Sequence, residues 1–399
     1  MDKMNGYKRR HLQIVLDRLS EPRKCIQVLA GPRQVGKSTL MEQVKELLDV
    51  PVFSFNADAI DSSDADWIVR SWASARSRMQ MSGSGEAVLV IDEIQKIDNW
   101  SEFVKREWDA DTFNRLNLKV VLLGSSRLLL RKGLTESLAG RYELIRMGHW
   151  TFAEMRDAFG FDLSHWIYFG GYPGTVGYTH DFRRWRKYIK EALVAPAVEK
   201  DVIMTASIYK PALMMQLFEV GCSYSGELLS LTKVLGQLQD AGNATTLASY
   251  LEILKQANLL CGLRKFASDE ARRRQSVPKF TVFNNALLTA YRGKGFERDY
   301  TDPTVWGRWV ESAVGTYLLD VAEDNDCQLY YWRERDDEVD YILQSGGEAI
   351  AFEVKSGKRG MNSGLPKFKE KFHPLQSLVV GTDGIPFEEF LCADLMQLF

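Results

Sequence analysis

Apolar residues follow two rhythms along the first 150 positions. Short continuous runs at 25–30, 52–55, 87–91, 120–123 and 142–147 alternate with longer stretches in which apolar residues recur every three or four places. Leu12, Val15, Leu16 and Leu19 form one such stretch, Leu40, Met41, Val44, Leu47 and Leu48 another, and 66–79 and 100–116 read as helices too. A run apolar at every position belongs to a strand covered on both faces, and strands alternating with amphipathic helices make βαβ units. The pattern therefore predicts a parallel α/β sheet domain at 1–150.

Beyond residue 150 the pattern becomes helical and aromatic. FGGYPG at 169–174 interrupts it with glycines and a proline unsuited to a helix interior, predicting a tight turn between helices. The segment DFRRWRKYIKEAL surrounds Trp185, Tyr188, Ile189 and Leu193 with Arg183, Arg184, Arg186, Lys187 and Lys190. It is either a solvated helix face or an interaction surface. Three amphipathic segments (213–220, 228–238, 244–254) then precede strand-like runs at 259–266 and 279–283, joined by the basic tip ASDEARRRQS with Arg272, Arg273 and Arg274. This order predicts a winged-helix-like domain at 206–295 after a helical lid region at 151–205. Thr245 or Thr246 would open its third helix, with Ser249 and Lys255 nearby. Such modules bind DNA, dimerise or act as spacers. Helix, strand hairpin, helix and strand predict a last α/β domain at 296–399.

Composition narrows the reading. With 45% hydrophobic and 26% charged residues the chain folds, and 51 basic against 53 acidic side chains confine any nucleic-acid surface to a local patch. Five cysteines without a CxxC pair suggest neither a disulfide framework nor a sulfur-ligated zinc. The absence of a long apolar span and of a secretion signal predicts a cytoplasmic protein with no membrane association.

The most specific chemistry lies at GPRQVGKST, a full GxxxxGK[ST] match between a strand-like run and a helix. Gly31, Pro32, Arg33, Gln34, Val35 and Gly36 would wrap backbone N–H groups around the phosphates of ATP. Lys37 would reach the β- and γ-phosphates, Ser38 would ligate Mg2+, and Thr39 would lie beside the α-phosphate. The run at 88–91 ends in Asp92, a second magnesium ligand, and Glu93, placed to polarise a water. Ser125, less readily Ser126, follows another run and reads as a sensor of the γ-phosphate or of the attacking water, or else as a helix start. Arg141, just before the fifth run, reads as a finger toward a neighbouring subunit's ATP, implying a homo-oligomer, or as a structural salt bridge.

These segments, with VIDEIQK and GSSRLLLRKGLTESLAGRYELIRMGHWTFAEM, resemble the bacterial and archaeal AAA-type P-loop ATPases that carry a C-terminal domain of unknown function 4143. The likeness runs through EVDYIL and EVKSG over nearly the whole length. It implies a nucleotide site at Lys37, Ser38, Asp92 and Glu93 and names no substrate.

The terminal domain carries its own candidate. Asp340 between Val339 and Tyr341, then Glu353 and Lys355 on one strand face, resemble the Asp…Glu-x-Lys pattern of restriction-endonuclease-like domains, with Glu311 as a helix-borne acid. Asp340 and Glu353 would share a metal ion and Lys355 would assist a water. Three functions compete on these grounds: an ATPase engaging DNA through its winged-helix and nuclease-like parts, a nucleotide-dependent scaffold or signalling ATPase with an inert terminal domain, and a protein-remodelling ATPase, for which no pore motif is present. The partner protein is not named by the sequence.

Overall fold

The computed structural model describes residues 6–125, 134, 137–203, 208–238, 243–269, 273, 276–357 and 364–399. The chain divides into two compact units, Met1–Gly148 and His149–Phe399. No helix among the described residues is long and apolar enough to cross a membrane.

Unit one is a five-stranded parallel sheet of β1 (Ile26–Ala30), β2 (Val52–Asn56), β3 (Ala87–Asp92), β4 (Leu118–Gly124) and β5 (Tyr142–Arg146), in the order β2-β3-β4-β1-β5. Among the described residues the helices α1 (His11–Ser20), α2 (Lys37–Leu47), α3 (Asp66–Met81) and α4 (Trp100–Phe113) accompany it. The strands divide their side chains between two cores. Val28, Leu89, Ile91, Val120 and Leu122 meet Trp72, Trp100 and Trp108 on one face. Leu29, Val88, Val90, Val121 and Leu123 meet Leu12, Val15, Leu40 and Val44 on the other. Alternation along each strand feeding two helical layers is why the runs at 87–91 and 120–123 are apolar at every position. Because β1 lies between β4 and β5, with β3 beyond β4, the carboxyl ends of β1, β4 and β3 stand side by side. Chain reversal at such a point opens a crevice there.

In unit two, helices α5 (Phe152–Phe159), α6 (Leu163–Phe169) and α7 (Phe182–Tyr188) come first. A Thr151–Glu154 capping box opens α5, and the FGGYPG turn ends α6. There, a Cβ on Gly170 would lie 2.1 Å from Asn284 Oδ1, and one on Gly171 would lie 2.0 Å from the Trp150 carbonyl oxygen, so backbone approach demands both glycines. The expected basic helix stops at Tyr188 and continues as π-helical turns over Ile189–Val194 and Ala197–Ile203.

Next come α8 (Pro211–Ser223), α9 (Leu231–Leu235), α10 (Ala244–Gln256) and the antiparallel pair β6 (Leu260–Lys265) and β7 (Lys279–Val282). The middle of the expected tip, including Arg272 and Arg274, lies outside the described residues. After α11 (Asn285–Arg292) and α12 (Phe296–Thr301), the long α13 (Pro303–Asp324) leads to β8 (Gln328–Glu334), β9 (Asp337–Ser345), β10 (Glu348–Lys355), α14 (Gly364–Phe372) and β11 (Gln376–Gly381).

One structural finding differs from the expected domain layout. The β6–β7 pair continues the C-terminal sheet, in the order β11-β10-β9-β8-β6-β7, through parallel pairing of Arg264 and Lys265 with Tyr330 and Tyr331. A lone hairpin is marginal in water and leaves edge groups unpaired. Here the edge is filled, and Phe266 is buried with Trp332, Val339 and Phe368.

Candidate functional site

The loop after β1 is shaped by what surrounds it. A Cβ on Gly31 would lie 2.0 Å from the Met147 carbonyl oxygen, so only glycine fits where the loop passes the end of β5. Gly36 takes φ 92° as the N-cap of α2, a left-handed conformation open to glycine. Behind the loop, buried Arg9 donates from Nη1 to the carbonyls of Val35 and Gly148, both at 3.2 Å. Lys37 is 7% exposed, and its Nζ donates to the carbonyls of Gly31 (2.9 Å) and Pro32 (2.7 Å).

Strand order brings the next residues in. Ser38 Oγ donates to Asp92 Oδ2 at 2.8 Å, so two hard oxygens, the donor type magnesium takes, stand together at the mouth of the loop. The other Asp92 oxygen accepts the Glu93 N–H at 2.8 Å. Glu93 has φ 53°, which costs about 1–3 kcal/mol for a non-glycine residue and aims its carboxylate away from the strand direction. Glu93 Oε2 accepts from Ser125 Oγ at 3.0 Å and from Gln95 Nε2 at 2.6 Å, while Gln95 Nε2 also lies 3.3 Å from Ser125 Oγ. Lys37, Ser38, Asp92, Glu93 and Ser125 thus share one edge of the sheet.

Gln95 escaped sequence reasoning. The usable signal was a third polar residue within IDEIQ, in a short 3-10 turn where Ile94 is buried and Gln95 is 6% exposed. Arg141 lies at the opposite sheet edge: its carbonyl accepts the N–H of Ile26 at the start of β1. Its guanidinium is bidentate to Asp109 on α4, at 2.8 and 3.1 Å, and a strand of this length separates the two edges by roughly 17 Å. Within one chain, Arg141 and the loop are not brought together. Ser126 lies outside the described residues.

In unit two, Asp340 on β9 and Glu353 on β10 are on neighbouring strands, and Asp340 Oδ2 accepts the Val354 N–H at 2.8 Å. Glu353 is buried and Lys355 half-buried at the end of β10. Lys279, at the start of β7, reaches Asp340 and two further acids, one of which, Glu338, also lies 3.7 Å from Arg333 Nη1. The Lys279 Nζ lies 2.6 Å from Glu311, 3.7 Å from Glu338 and 3.8 Å from Asp340, and donates to the Asp340 carbonyl at 3.2 Å. Sequence reasoning gave Lys355 the task of assisting a water at this centre and overlooked both Lys279 and Glu338. The missed signals were a lysine heading the apolar run KFTVF and an acid two places before Asp340, on the same strand face. Among the described residues no group of three or more His, Cys, Asp or Glu side chains could hold a metal ion. Asp340, expected to share a metal ion with Glu353, is engaged by Lys279 and by the Val354 N–H.

Comparison with known proteins follows the same division. Residues 23–156 match the model of an AAA domain, 160–298 a domain of unknown function (DUF8612) and 306–390 a domain of unknown function (DUF4143). An uncharacterized protein of Mycobacterium tuberculosis is 27% identical over 355 residues, covering 86% of this chain and 74% of the relative. One from Haemophilus influenzae is 21% identical over 346 residues, covering 82% and 83%. Among solved structures, the Walker-type ATPase PABY2304 of Pyrococcus abyssi aligns with a TM-score of 0.48 at 13% identity, over 71% of this chain and 95% of that one. The chain thus combines an AAA-type P-loop ATPase domain over residues 23–156 with a DUF4143 domain over residues 306–390.

Proposed function

We propose that unit one binds ATP in the loop 31–39 and hydrolyses it, with Glu93 as the group that orients and polarises the attacking water. The observation that carries this reading is the double hold on Glu93 Oε2 by Ser125 and Gln95, beside an Asp92 already joined to Ser38. Such a carboxylate is positioned before substrate arrives, and positioning is most of what phosphoryl transfer needs from a protein. Lys37, whose two described acceptors are neutral carbonyls, would exchange them for phosphate oxygens. Ser38 and Asp92 would hold magnesium, which supplies charge neutralisation across the phosphates.

The same reading gives unit two the task of engaging DNA without cutting it. Support comes from Arg183, Arg184, Arg186 and Lys187, all exposed around buried Trp185 on α7, a local cationic patch on a chain of net charge −2. A homo-oligomer in which Arg141 serves a neighbour's ATP would require that arginine to leave Asp109. A nucleotide-dependent scaffold is the competing reading, favoured by the enclosed Lys279 cluster.

The test pairs calorimetry with phosphate release. Lys37→Ala should weaken ATP binding sharply. Glu93→Gln should bind ATP as the parent does and turn over about 10²–10⁴-fold more slowly. Equal turnover in Glu93→Gln and the parent removes Glu93 from the chemistry.

A further inference from the structure

Three carboxylates from two elements converge on one point in unit two: Glu311 from α13, and Glu338 and Asp340 from β9. As arranged around Lys279 these acids do not form a metal site; a divalent cation would need their oxygens drawn in to about 2.0–2.6 Å. The point already holds a positive charge. Lys279 is 0% exposed, closes to 2.6 Å on Glu311, and has the Tyr341 ring 4.6 Å from its Nζ. The ring is fixed in turn, for Tyr341 Oη donates to the Glu311 carbonyl at 2.9 Å, and a Cβ on Gly315 would lie 2.3 Å from that hydroxyl oxygen. Glycine at 315 therefore leaves the space that the tyrosine fills.

We propose that Lys279 is a built-in counter-cation that takes the place of a divalent metal, so that the C-terminal centre is metal-free and does not cleave nucleic acid. The ammonium cannot share the point with a metal ion, because like charges at such range repel strongly in a poorly solvated pocket. Nor does the lysine readily become neutral. Burial works against its charge, yet Glu311, Tyr341, Asp340 and Glu338 together hold it well above the ordinary lysine range. Lys279 comes from the β6–β7 pair, whereas the acids come from α13 and β9. The cation therefore also pins that pair to the C-terminal sheet, a task a freely exchanging metal ion would not perform.

The test is Mn2+ binding to the full, nucleotide-free chain, measured from the electron paramagnetic resonance of free Mn2+. The parent and Asp340→Asn should bind Mn2+ identically. Lys279→Ala should gain one site per chain, and adding Asp340→Asn should remove it. Lys279→Ala with Glu338→Gln, which deletes one charge of each sign and keeps Glu311 and Asp340, should gain a weaker site and serves where the single variant does not fold. Mn2+ binding by the parent that Asp340→Asn abolishes overturns the proposal, whatever the variants do. So does the absence of any gain in a folded Lys279 variant.

Discussion

Lys37 in unit one and Lys279 in unit two are both buried in polar settings, and the two settings differ; another buried lysine of unit one, Lys119, is bound by Glu86. Lys37 rests on the neutral carbonyls of Gly31 and Pro32, whereas Lys279 sits among Glu311, Glu338 and Asp340. A carbonyl is a weak competitor for an ammonium group, so an incoming phosphate can displace it. A carboxylate is a strong one, and removing either side of a buried ion pair leaves an uncompensated charge. The same residue type is thus exchangeable in one unit and locked in the other.

The contrast extends to the surface of unit two. If its nucleic-acid contacts come from exposed cations, α7 should supply them, although Lys187 also lies 3.8 Å from Glu191, and buried Lys279 should not. Replacing Arg183, Arg184, Arg186 and Lys187 by alanine should flatten the salt dependence of DNA affinity by up to about 3.6 in logarithmic slope, at about 0.9 for each phosphate no longer neutralised. At 50 mM salt this is a loss of more than tenfold, readable by fluorescence anisotropy. An unchanged slope assigns the patch to solvation and favours the scaffold reading.

A smaller effect sharpens the picture in unit one. Glu93 accepts from both Ser125 and Gln95, so Gln95→Ala leaves one hold in place. Turnover should fall about fivefold, the worth of one ordinary hydrogen bond of about 1 kcal/mol, with ATP affinity unchanged. A fall as large as that of Glu93→Gln would make Gln95 part of the reacting set.

Much of unit one was legible because its signals are local. Five apolar runs, the spacing of Leu40, Met41 and Val44, and the phosphate-loop pattern each lie within a dozen residues. Ser125 was legible at one remove, through its place at a strand end. Unit two hid more because its decisive contacts are distant. Pairing of Lys265 with Tyr331 joins residues far apart in sequence, and no periodicity announces it. Lys279 reads as an ordinary lysine until the fold sets it against Glu311 and Asp340. The change from α- to π-helical turns after Tyr188 likewise has no local breaker, since IKEALV contains neither glycine nor proline.

The contrast between the two lysines is tested most directly by thermal unfolding of the parent, Lys37→Ala and Lys279→Ala, each with and without ATP and magnesium. Removing Lys37 should abolish the stabilisation by ATP, which for a bound ligand at a hundred times its Kd is about 2.7 kcal/mol. Removing Lys279 should destabilise unit two by about 3–5 kcal/mol while the stabilisation by ATP persists. The account is contradicted if Lys279→Ala melts like the parent, or if Lys37→Ala still responds to ATP as the parent does.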